Sequence, residues 1–141
     1  MNYVPKTLSK RDSVRQKRGL ALSRKAYKRG VYKNRPHLAS FKSKKSSHVQ
    51  RATALYGVSI TPTPELARAT GCRLSALRQI VKKGEGAFYS SGSRPNQTPQ
   101  SWAHARLASA LTGGPASRVD FSILKKGCAP RSRPLQLVKQ V

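Results

Sequence analysis

The sequence predicts an all-α protein: a small multi-helix domain containing a helix-turn-helix-like pair, preceded by an extended basic arm. Three observations predict it. No segment alternates apolar and polar residues as a half-buried strand would. From Val49 onward apolar residues recur at three- and four-residue spacing, with Gly and Pro punctuating them at intervals suited to short helices. Residues 1–45 instead carry scattered apolar side chains separated by charges, too few to offset the entropy of ordering. The domain boundaries that follow are 1–46 for a basic, extended or disordered arm and 47–141 for the all-α domain.

Within the arm, Ser9 to Gly30 has helix-compatible composition, but its apolar stripe is thin and Gly19 interrupts it, so helix is expected there only against phosphates. Gly30 to Ser47 reads as irregular, ending in the basic tract KSKKSS. Ser47 is placed to cap a helix through Val49, Ala52, Leu55 and Tyr56, which Gly57 ends. Thr63, Pro64 and Glu65 form a cap, a first-turn proline and a first-turn acid, opening a second helix that stops at Gly71. A third is expected from about Arg73 to Lys83, stopped by Gly84. Thr98 and Pro99 repeat the cap-proline signal for a fourth, Gln100 to Leu111. Asp120 caps a short helix carrying Ile123 and Leu124, and Pro134 opens a terminal one within 132–141.

Charge bounds the function. The chain holds 29 Lys and Arg against 4 Asp and Glu, a net +25. Sixteen of those cations and only one acid, Asp12, lie in residues 1–51. Such a chain repels itself unless a polyanion or acidic partner neutralises it. No apolar run is long enough for a signal peptide or membrane span, which predicts a protein that is intracellular or assembled inside a cell. Cys72 and Cys128 have no second ligand at metal spacing, so two buried reduced thiols are expected in preference to a bridge between them, and neither metal nor cofactor is expected. Glu65, Glu85 and Asp120 are far apart, and no nucleophile turn accompanies Asp120 and His104, which argues against an enzyme.

Two constellations carry more information. Thr63 to Lys82 (TPELARATGCRLSALRQIVK) has helix-turn-helix spacing, with Leu66 and Ala67 facing the partner helix, Gly71 in the turn, and Leu77 and Ile80 anchoring the second helix. Arg73, Ser75, Ala76, Arg78, Gln79 and Lys82 then lie on or beside a face suited to a major groove, with Arg68, Lys82 and Lys83 suited to phosphates. A plain helical hairpin with solvated cations has the same spacing. Gly84 to Trp102 (GEGAFYSSGSRPNQTPQSW) reads as a long loop. Its Ser90, Ser91, Ser93 and Arg94 suit a phosphate nest, or the loop is an ordered connection pinned by Phe88, Tyr89 and Trp102. The second is favoured, because no Gly-Lys-Ser or Gly-Lys-Thr signature is present. In the arm, Arg15, Lys17, Arg18, Arg24, Lys25, Lys28, Arg29, Lys42, Lys44 and Lys45 are the phosphate candidates. The interleaved Tyr27, Tyr32 and Phe41 suit either base stacking or packing on protein.

The stretch Lys83 to Cys128, together with YVPKTLSKRD, SRKAYKRGVY and SFKSKKSSHV upstream, resembles a family of small basic proteins encoded by large nucleocytoplasmic DNA viruses of the algal-virus and giant-virus type. The resemblance implies a viral origin and a non-enzymatic role in or near the particle, and it brings no binding residues with it. The expectation is a basic virion structural protein, a minor or inner capsid component contacting genome phosphates or acidic capsid surfaces, with capsid proteins and double-stranded DNA as the expected partners. The alternative is a viral transcription regulator using the helix-turn-helix.

Overall fold

The computed structural model describes residues 3–43 and 46–138. Eight helices occur among them: α1 Lys10–Lys28, α2 Ser47–Tyr56, α3 Pro64–Thr70, α4 Leu74–Ser90, α5 Pro99–Leu111, α6 Pro115–Val119, α7 Phe121–Gly127 and α8 Arg133–Leu137. The all-α expectation holds, and the described residues contain no strand beyond an isolated bridge between Cys72 and Cys128. No described helix is long and apolar enough to cross a membrane.

Most of the capping signals act where they were expected, but Asp120, which precedes α7, makes no side-chain capping bond there. The Thr63 side chain accepts from the Leu66 amide at 3.2 Å, with Pro64 opening α3. Gly57 and Gly71 end α2 and α3 in the left-handed region, at φ 70° and 75°. Thr98 and Ser101 exchange side-chain to amide bonds of 2.9 and 3.0 Å at the start of α5, a reciprocal cap. Ser46 rather than Ser47 caps α2.

Other expectations fail. The segment expected as an extended arm contains α1, 19 residues long, and buries Leu8, Leu20, Ala26 and Leu38. Gly84 does not stop α4. A glycine ends a helix when it turns left-handed, and neither Gly84 nor Gly86 does, so the helix runs on to Ser90 and the long loop shrinks to residues 91–98. The two cysteines are joined by a disulfide, Cys72–Cys128, not reduced.

The chain divides into two compact units, one made of Met1–Lys44 with Glu85–Trp102 and the other of Lys45–Gly84 with Ala103–Val141. Residues 85–102 thus belong with the arm rather than with the domain expected at 47–141. In the first unit Phe88, Leu20, Ala26 and Leu38 are buried, and Tyr3 meets Trp102 edge to face at 5.7 Å. In the second, Leu66, Leu77, Ile80, Leu107, Leu111, Ile123 and Leu124 form the core. There α4 and α5 approach closely, since a Cβ on Gly84 would lie 2.7 Å from the Ala103 Cα.

Candidate nucleic-acid interface

The buried stripe of α1 is mostly polar: Asp12, Gln16, Leu20, Ser23 and Ala26, at helical spacing. The opposite arc carries Lys10, Arg11, Lys17, Arg18, Lys25 and Lys28, all exposed, with Val14 and Ala21 between them. Asp12 is turned inward, where Ser40 donates to its Oδ2 from both hydroxyl and amide. Those bonds, helped by Arg15 and Arg11 and opposed by burial, hold its carboxyl below the usual 3.8. Arg15 lies 3.9 Å from the same carboxylate, a flanking ion pair. The one acid of this region therefore takes little charge away from the outer arc.

The motif at 91–96 is gripped by the arm. Gln16 Nε2 donates to the carbonyls of Tyr3 and Ser93 at 2.9 and 3.2 Å. Arg24 gives both Nε and Nη2 to the Ser91 carbonyl, 3.0 and 2.8 Å away. Arg35 donates to the hydroxyls of Ser23 and Ser93 and the carbonyl of Phe88, at 2.7 to 2.8 Å, with its guanidinium 4.0 Å from the Phe88 ring centre. Burial pulls that guanidinium down to about 10, so it is still charged at neutral pH. Asn96, left-handed at φ 62°, accepts from the Leu38 amide and donates to the carbonyls of Leu38 and Phe41. These bonds favour the ordered-connection reading over a phosphate nest, because they tie the Ser91 and Ser93 carbonyls and the Asn96 side chain to the arm, and the Ser93 hydroxyl is spent on the Arg94 carbonyl at 2.8 Å. Arg94, the one cation of residues 91–96, is exposed, and its side chain makes no hydrogen bond among the described residues.

Of the arm candidates, Arg15, Lys17, Arg18, Arg24, Lys25, Lys28, Arg29 and Lys42 are exposed, with Arg24 committed as described; Lys44 and Lys45 lie outside the described residues. Tyr27, Tyr32 and Tyr89 form a ladder with centroids 5.8 and 5.1 Å apart, and Tyr32, the middle ring, remains 66% exposed. Phe41 is half-buried.

In the second unit, α3 and α4 are joined by the turn at residues 71–73, and Leu66, Leu77 and Ile80 are buried as the spacing required. Arg68, Arg73, Ser75, Arg78, Gln79, Lys82 and Lys83 are exposed, whereas Ala76 is buried. Ala76 packs on the end of α7, where a Cβ on Gly127 would fall 2.3 Å from its own. The start of α4 is further fixed to that end by the disulfide and by two backbone bonds, Arg73 N–H to the Gly127 carbonyl at 2.7 Å and Ala129 N–H to the Gly71 carbonyl at 2.9 Å. Beside this junction lies an open groove of about 230 Å³, with Arg73, Ser75 and Gln79 on one side and Ser122 and Lys126 on the other. Sequence reading missed Ser122 and Lys126, since nothing local ties them to a helix some fifty residues earlier.

Asp120 is fully buried and accepts a bidentate pair from Arg106, 2.9 and 2.7 Å, rather than meeting His104. That carboxylate raises the Arg106 guanidinium above its usual value. Among the described residues the only ion pairs are Arg106–Asp120 and Arg15–Asp12, and no three His, Cys, Asp or Glu side chains cluster to hold a metal.

No curated protein and no solved structure matches the chain. A family model, the family of unknown function DUF5824, matches residues 3–127, and the chain belongs to that family.

Proposed function

We propose that this protein is a non-enzymatic basic component of a viral particle that contacts the phosphates of the genome. The observation that carries the reading is the uncompensated charge: of 29 cations, two meet a carboxylate among the described residues, and both carboxylates are turned inward. The outer arc of α1 is then a cationic ridge about 28 Å long, the rise of 19 helical residues. The setting in a particle, built inside a host cell with capsid proteins as neighbours, rests on the resemblance of residues 83–128 to large-DNA-virus proteins. The same ridge suits an acidic capsid surface, and the test separates the two.

A ridge making about six phosphate contacts gives a log-log salt slope near −5 on duplex DNA. Anisotropy titrations of a labelled duplex from low to moderate salt read that slope directly. An affinity that hardly moves with salt overturns genome contact and leaves the capsid surface. The exposed row Ser75, Arg78 and Lys82 on α4, with Gln79 beside it, favours a second reading, a regulator that reads base edges. In that case Arg78→Ala and Gln79→Ala change sequence preference, whereas an equal loss on every duplex sinks it.

A further inference from the structure

We infer that the groove between the start of α4 and the end of α7 is a phosphodiester-binding site, a second point at which the protein grips nucleic acid. The inference rests on the genome-contact reading and adds an address to it. Arg73 comes from the α3–α4 turn and Lys126 from the last turn of α7, so two cations from separate elements line one depression. Ser75, Gln79 and Ser122 add two hydroxyls and a carboxamide, all able to donate to phosphate oxygens. Ser122 and Lys126 are four residues apart and so share one face of α7. No hydrogen bond is made by any of these five side chains among the described residues, and no carboxylate or aromatic ring lines the groove.

Those absences choose the ligand. Without an acid the groove does not suit a metal or an amine, and without an aromatic it offers no stacking surface for a base. At about 230 Å³ it is smaller than the roughly 300–1,000 Å³ of pockets that enclose a whole small molecule. It suits one charged group of a polymer running past. The walls are set in advance by the disulfide, by the two backbone bonds and by the contact of Ala76 with Gly127, so little ordering accompanies binding.

The test is the double variant Arg73→Gln with Lys126→Gln, measured on the full oxidised chain against random-sequence duplex DNA over a salt series. Its charge-matched control is Arg118→Gln with Arg131→Gln, two exposed cations that do not line the groove. Losing two phosphate contacts makes the slope shallower by about 2, equally on every duplex sequence, while the control pair leaves the slope in place. Circular dichroism melts of both variants should match the parent, since none of the four side chains is buried. A steep parent slope that both pairs change alike, or neither changes, overturns the groove alone. A flat parent slope overturns the groove together with the reading beneath it. Phosphatidylserine vesicles provide the last arm: if the groove pair weakens vesicle binding and not duplex binding, the occupant is a lipid headgroup and the proposal is wrong.

Discussion

Arg35 holds the N-terminal unit together in a way no apolar side chain could. Its guanidinium reaches Ser23 on α1, Phe88 on α4 and Ser93 in the motif, while its face lies on the Phe88 ring. Replacing it by Met leaves buried acceptors without donors and should cost about 3 kcal/mol. Arg35→Lys should fall between, because an ammonium lacks the planar fork. Trp102, the single tryptophan and packed on Tyr3, reports the loss as a lower urea midpoint. Asp12 gives the unit its acid sensitivity. Its folded carboxyl sits below the ordinary 3.8 because of Ser40, so in acid the unfolded chain binds the proton first. The stability it contributes is complete above about pH 4 and is lost as pH falls through the folded value. Asp12→Asn should therefore lower the urea midpoint at pH 6 and flatten its fall between pH 4 and pH 2, and an unchanged acid limb would refute the assignment.

Among the helices, α4 shows how little a residue type says without its neighbours. Gly84 and Gly86 are two positions apart in one helix, and both cost helix propensity relative to Ala, about 1 kcal/mol each. At Gly84 a Cβ meets the Ala103 backbone at 2.7 Å, so Gly84→Ala should destabilise by about 1–3 kcal/mol as α4 and α5 are pushed apart. At Gly86 the nearest atom is the Tyr27 hydroxyl at 3.6 Å, an ordinary contact, so Gly86→Ala should stabilise by about 0.5–1 kcal/mol. Opposite shifts in thermal midpoint for the two variants are the expected result. The α1 helix makes the related point about periodicity. Its inward stripe is Asp, Gln, Leu, Ser and Ala, which a search for apolar spacing passes over, because the partners it meets are backbone carbonyls and hydroxyls.

Over the whole chain, a net charge of +25 with two ion pairs among the described residues means that the fold stands against its own repulsion. The Cys72–Cys128 bridge is one of the restraints that allows it. It closes a loop of 56 residues, and the chain-entropy account assigns such a cross-link about 4 kcal/mol. Reduction with dithiothreitol, or the Cys72→Ser and Cys128→Ser double variant, should lower the denaturant midpoint of the second unit accordingly. Because the bridge also joins the two walls of the groove, the reduced chain should show a shallower salt slope on DNA than the oxidised one.

The sequence by itself determined the helical class, the caps at Thr63 and Thr98, the stops at Gly57 and Gly71, and the cationic character of α1 and of the start of α4. These are local matters: a hydroxyl before a proline, a glycine free to turn left-handed, and a count of charges are complete within a few residues. Only the tertiary structure decided that the arm folds, that 91–96 serves as its internal partner, that Gly84 passes through a helix, that the cysteines join, and that Lys126 stands across from Arg73. Each of those depends on groups tens of residues apart meeting in space. Polar burial of the kind seen at Gln16, Ser23 and Arg35 leaves no periodic apolar trace in the sequence to announce it.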